Sequence, residues 1–218
     1  MYRIVFLLLS SWLLFSCSVK KETVIKLPYY NEPDFTPLFI KTMDEVNKKV
    51  AHRIADFSFI NEENRVITQK DIEGKIHVAN FIFTSCGSIC PVMTRNLKLV
   101  SDSLKDDQNL VLLSYSVTPW IDSATVLKKY KERNKIENPN WHFLTGNKNE
   151  IYRMARQSYF AEEDIGFSKD SSEFLHTEHF ILVDKTKRIR GIYNGTLALE
   201  MQKIIEDIRA LEEEETTD

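Results

Sequence analysis

The stretch Thr84-Ser85-Cys86-Gly87-Ser88-Ile89-Cys90-Pro91, TSCGSICP, sits between two segments of different periodicity. Before it runs His77-Val78-Ala79-Asn80-Phe81-Ile82-Phe83, a short apolar stretch that predicts a buried strand. After it, Val92, Met93, Leu97, Val100 and Leu104 recur at helical spacing and predict a helix over 91–105. Two cysteines therefore stand at a strand-to-helix junction, with three residues between them. A thiol at a helix N-terminus feels the positive end of the helix dipole, which favours the thiolate. Across one helical turn the two Cβ atoms would lie about 5–6 Å apart. A disulfide wants about 3.5–4.5 Å, so modest adjustment allows one. The unadjusted separation also suits two sulfurs gripping one ion. Gly87 is expected to supply the backbone freedom such a loop needs.

Two thiolates are soft ligands and favour copper(I), with zinc also open. A third ligand is needed, and imidazole is the natural candidate. Of the five histidines, His77 and His142 fall in or beside predicted strands and His52 precedes the domain, so these read as structural or surface residues. His176 and His179 lie in Phe174-Leu175-His176-Thr177-Glu178-His179-Phe180, just ahead of a predicted hairpin.

Working outward, the pattern alternates. Strands are expected at 56–60, 65–68, 77–83, 110–117 and 141–144, then a hairpin of 180–183 with 189–193. Helices are expected at 91–105, from an Asp122 or Ser123 cap to about Arg133, at 147–159 and from Leu197 to about Leu211. Asn147 followed by Glu150 resembles a capping box. This predicts an α/β domain with a central mixed sheet, helices on both faces and an N-terminal β-hairpin extension. The strand, dithiol motif and helix, with the late hairpin and last helix, form the thioredoxin-like pattern.

The N-terminus holds Arg3 and then an apolar run, Ile4 to Phe15, of about twelve residues. A membrane-spanning helix needs roughly 20, so the run reads as an export signal. It ends Leu14-Phe15-Ser16-Cys17, which resembles a bacterial lipoprotein signal with Cys17 as the lipidated residue. The expected division is a signal at 1–16, a membrane tether at 17–50, the domain at 51–211 and a frayed acidic tail at 212–218. Prolines 28, 33 and 37 argue against helix in the tether, which as flexible coil would span roughly 30 Å; its aromatic residues argue that part of it packs on the domain. Lipidation of Cys17 also resolves the odd count of three cysteines, leaving Cys86 and Cys90 as a pair. With 29 basic and 32 acidic residues, formal charge −3, the chain lacks a nucleic-acid footprint.

TSCGSICP, the strand before it and the His176 segment together resemble the Sco family, also called SenC, over roughly residues 28–211. Asp56-Phe57-Ser58-Phe59 is similar to that family's opening strand, and Leu144-Thr145-Gly146 to a recurrent turn. The resemblance implies a membrane-tethered, thioredoxin-fold protein of the extracytoplasmic side, which binds copper and assists assembly of the copper site of cytochrome c oxidase. It implies Cys86, Cys90 and His176 as copper ligands, His176 being followed by Thr177 with Asp184 eight residues on. It leaves open the alternative of a thiol-disulfide oxidoreductase acting through Cys86 and Cys90 on partner cysteines. Three positions depart from the family pattern: Gly87 stands for proline, Ser88 for an acid and Thr118 for aspartate.

Overall fold

A computed structural model describes residues 25–161 and 177–215. Nine strands form one sheet: β1 (Tyr29–Tyr30), β2 (Pro37–Leu38), β3 (Ser58–Asn61), β4 (Val66–Thr68), β5 (Ile76–Ile82), β6 (Leu110–Ser116), β7 (Trp141–Thr145), β8 (His179–Val183) and β9 (Ile189–Asn194). Their order is β2-β1-β9-β8-β5-β6-β7-β3-β4. β5, β6 and β7 run parallel, and β8 and β3 flank them antiparallel. The helices are α1 (Met43–Lys49), α2 (Ile89–Ser103), α3 (Ala124–Arg133), α4 (Lys148–Arg153) and α5 (Ala198–Glu215).

The continuous apolar run of β5 is explained by burial on both faces. Ile76, Val78 and Ile82 face one core with Leu97, Leu127 and Ile204, from α2, α3 and α5. Ala79 and Phe81 face the other with Phe57, Ile151 and Tyr159. Alternate residues of a strand point to opposite sides, so a strand covered twice carries apolar residues throughout. The mixed sheet with helices on both faces is as expected, and β3 with β4 forms the N-terminal hairpin.

Local departures have physical causes. α2 begins at Ile89, two residues before the predicted start, because proline is tolerated within a first turn. This brings Cys90 into the helix. The helix predicted over 147–159 is α only to Arg153 and continues as a π turn over Met154–Ser158. Asn147 caps it by accepting from the N–H groups of Asn149 and Glu150, while the Glu150 carboxylate pairs with Arg153.

The expected tether and tail boundaries need correction. Residues 25–50 fold against the domain: Tyr29, Ile40, Val46 and Val50 form a small core of their own, and β1 joins β9. The tail does not fray at 212, since α5 runs to Glu215 and Glu214 is only 5% exposed. Glu214 accepts two hydrogen bonds from the buried Arg190 guanidinium and one from Leu27 N–H. Asp184 completes a buried charge cluster on the same guanidinium. Leu27 is thus held at the C-terminal end of α5. That helix starts beside the end of β9, on the side of the sheet where β5 runs into the cysteine motif. The signal at 1–16, Cys17 and the acidic end at 216–218 lie outside the described residues.

Candidate metal and redox site

β5 ends at Ile82, and the chain turns at once. Cys86 N–H donates to the Phe83 carbonyl (3.2 Å), making Thr84 and Ser85 the central residues of a turn that presents Cys86. Ser88 is the N-cap of α2, yet its side chain makes no capping hydrogen bond, and no acidic residue occupies the first turn. The N–H groups left over at a helix start need acceptors. Here the N–H groups of Cys90, Ser88 and Ile89 and the Cys90 thiol favour negative charge on the Cys86 sulfur.

The two thiols are unlike. Partial burial pushes Cys86 up, but the N–H groups and the Cys90 thiol together outweigh it and hold Cys86 below the usual thiol value. Burial pushes Cys90 up to about 12, and the negative charge on neighbouring Cys86 adds to the rise. Cys86 is half-buried, whereas Cys90 is 3% exposed and packs into the core with Met93 and Leu97. An accessible, easily ionised sulfur therefore lies over a buried, reluctant one.

Gly87 does not play the role expected of it. Its φ lies outside the left-handed region, and a Cβ there would meet nothing within 4 Å. Gly195 is the glycine that the architecture requires near the site. A Cβ on it would stand 2.6 Å from Phe180 Cε1 and 2.9 Å from the Glu178 carbonyl, and Asn96 of α2 donates to its carbonyl (2.9 Å).

Of the predicted ligands, Cys86 and Cys90 are brought together. His176 lies outside the described residues, which resume at Thr177, two residues before β8. His179 opens β8, its ring edge-on to Phe35 at 5.8 Å. Ile181 pairs with Ala79, so the start of β8 lies alongside the end of β5 that leads into Cys86. The other histidines serve the scaffold. His77 is fully buried, with Nε2 3.1 Å from the Tyr159 hydroxyl, and burial lowers its pKa to about 3. Burial also lowers His142, and His52 Nε2 donates to the Ser158 carbonyl (2.8 Å). Among the described residues no group of three His, Cys, Asp or Glu side chains is placed to hold a metal ion. None of their helices is long and apolar enough to cross a membrane.

The sequence marks Asp122 only as a candidate helix cap. Asp122 is completely buried, and its carboxylate accepts from Thr84 Oγ1 (2.5 Å), Thr84 N–H (3.2 Å), Ser116 Oγ (2.6 Å) and Thr118 Oγ1 (2.9 Å). Ser123 does the capping of α3, accepting from Val126 N–H. The adjacent serine, with a cluster of hydroxyl residues at both strand ends, was the available hint.

A SCO1/SenC lipoprotein from Bacillus anthracis str. Ames superposes with a TM-score of 0.64 at 26% identity, covering 73% of this chain and 95% of that one. BsSco, described as having a disulfide switch and as a member of the Sco family of cytochrome c oxidase assembly proteins, gives 0.62 at 28% identity, covering 73% and 93%. Bradyrhizobium japonicum ScoI, solved with copper bound, shares the fold at a TM-score of 0.58 and 22% identity, covering 74% and 99%. The SCO1/SenC family model matches residues 45–213, and the chain belongs to that family.

Proposed function

We propose that the protein is a copper metallochaperone that holds copper through Cys86, Cys90 and His176 and assists assembly of the copper site of cytochrome c oxidase. The observation that carries the reading is the pair of thiols gathered at the start of α2, one of them favouring the thiolate. Soft sulfur donors suit copper(I). A cation bridging them offsets the repulsion from Cys86 that helps keep Cys90 protonated. ScoI supports the choice of metal, since a protein of this fold holds copper. BsSco supports the choice of partner through its family's role in oxidase assembly.

The domain is anchored by lipid on Cys17, after loss of the signal at 1–16, and faces the extracytoplasmic side of a bacterial membrane. The Bacillus anthracis lipoprotein supports this arrangement. Anaerobic titration of the reduced protein with copper(I) tests the ligands. Cys86→Ser and Cys90→Ser should each abolish tight binding, and His176→Ala should weaken it. Unchanged affinity in His176→Ala would remove that residue from the set, and tight binding without either cysteine would refute the site. Cys17→Ser should release the protein from the membrane fraction; if it stays, the anchor is elsewhere.

The asymmetry of the thiols favours a second reading, a thiol-disulfide oxidoreductase. Cys86 thiolate attacks one sulfur of a partner disulfide, and the partner's other sulfur leaves as a thiolate. Cys90 then loses its proton and attacks the Cys86 sulfur, releasing the reduced partner. Two electrons pass to the partner, and the Cys86–Cys90 pair ends as a disulfide. The readings are compatible, because only the reduced pair binds metal.

A further inference from the structure

We infer that Asp122 is a positioning residue for the dithiol, acting through Thr84 to hold the turn that presents Cys86 against Cys90. The inference rests on the reading of Cys86 and Cys90 as a working dithiol. Its ground is the geometry around a fully buried carboxylate whose partners, among the described residues, are three hydroxyls and one backbone N–H, with no cation among them. Such a group is costly to bury, and both of its oxygens are used: Oδ1 accepts from the Thr84 hydroxyl, and Oδ2 from Thr84 N–H, Ser116 and Thr118.

Two of the four bonds go to one residue, Thr84, from both its hydroxyl and its backbone. Thr84 is the second residue of the Phe83–Cys86 turn, so fixing its backbone and side chain fixes the orientation in which the turn delivers Cys86. The other two bonds go to Ser116 and Thr118, at the end of β6. Ser116 Oγ in turn accepts from Thr118 N–H (3.1 Å), and Val117 N–H donates to the Ile82 carbonyl (2.9 Å). The carboxylate therefore ties the cysteine loop to the rigid centre of the sheet. Holding both sulfurs in one place raises their effective concentration toward each other.

The closing reaction measures that concentration directly. The dithiol gives two electrons and two protons to glutathione disulfide, leaving the Cys86–Cys90 disulfide and two glutathione thiols. The full domain is equilibrated across ratios of reduced to oxidised glutathione, and its disulfide is quantified by trapping free thiols. Asp122→Asn replaces one acceptor oxygen by a donor that faces donors, and Thr84→Val removes the hydroxyl. Each should lower the equilibrium constant for disulfide formation by about tenfold, the scale of one hydrogen bond to a charged group. Thr84→Ser, which keeps the hydroxyl, should restore it. Ser123→Ala serves as the structural control: it removes the α3 cap and should lower the thermal midpoint without moving the equilibrium. If Asp122→Asn fails to fold, Thr84→Val carries the test. Constants within about twofold of wild type for both variants would overturn the inference, as would an equal shift in Ser123→Ala. A wild-type protein that forms no disulfide at any ratio would overturn the dithiol reading and this inference together, and that failure shows in the wild-type arm alone.

Discussion

In a Cys17→Ser background, proteins that keep a single thiol, Cys90→Ser and Cys86→Ser, should alkylate at very different rates. Cys86 lies below the ordinary thiol value of 9.0, so at pH 7 more than about one molecule in a hundred carries the thiolate. Cys90, at about 12, carries it in roughly one molecule in 10⁵. The thiolate populations thus differ by at least about 1,000-fold. A more basic thiolate is intrinsically the better nucleophile, and a Brønsted slope of about 0.45 over three pKa units gives back about 25-fold. The expected difference in second-order rate with iodoacetamide at pH 7 is therefore at least about 40-fold, and the burial of Cys90 enlarges it. In Cys86→Ser the repulsion from Cys86 is gone, but burial, the larger cause of the rise, remains. The assay is pseudo-first-order alkylation followed by intact mass. Rates within about threefold of each other would refute the account of Cys86 as the accessible nucleophile and Cys90 as the buried, resolving partner.

Other expectations concern the scaffold. His77 titrates near 3 when folded and near 6.5 when unfolded, so the unfolded chain takes up a proton first, and the stability His77 contributes above pH 6.5 is lost as pH falls toward 3; His77→Gln should flatten the acid side of a thermal-midpoint profile, by about 5 kcal/mol at most. Gly87→Ala should fold normally and gain up to about 0.5–1 kcal/mol in chemical denaturation, because its Cβ meets open space, whereas Gly195→Ala should lose about 2 kcal/mol or more against Phe180 and the Glu178 carbonyl. Glu214→Ala should cost about 3–5 kcal/mol in the same measurement by leaving the Arg190 guanidinium short of a buried partner.

The central strands were legible because a strand covered on two faces leaves a run of apolar residues that few other structures produce. Cys86 and Cys90 were legible because their junction is local: strand, turn and helix are contiguous. What sequence missed depends on partners far along the chain. The last acidic residues read as a solvated tail, but Glu214 is neutralised by Arg190, 24 positions earlier. Three prolines made 17–50 read mainly as linker, while Arg188 and Arg190 reach across to Asn47 and to the carbonyls of Leu27 and Pro28. Asp122 reads locally as a cap, and only the approach of Thr84, from the turn after β5, shows that its carboxylate is used elsewhere. Gly87 shows the opposite error, a local glycine rule applied where the backbone makes no such demand.

The seat of Leu27 on the far end of α5 has a bearing on where in space the chemistry happens. The 18 residues of α5 put about 27 Å between that seat and the end of the sheet that carries the cysteines. With lipid on Cys17, the ten residues to Leu27 add at most about 35 Å when drawn out fully. If Cys17 carries the lipid as proposed, the sulfurs can stand no farther than about 60 Å from the headgroups. Under the proposed function, a partner that takes copper from them would have to bring its own ligands within that reach.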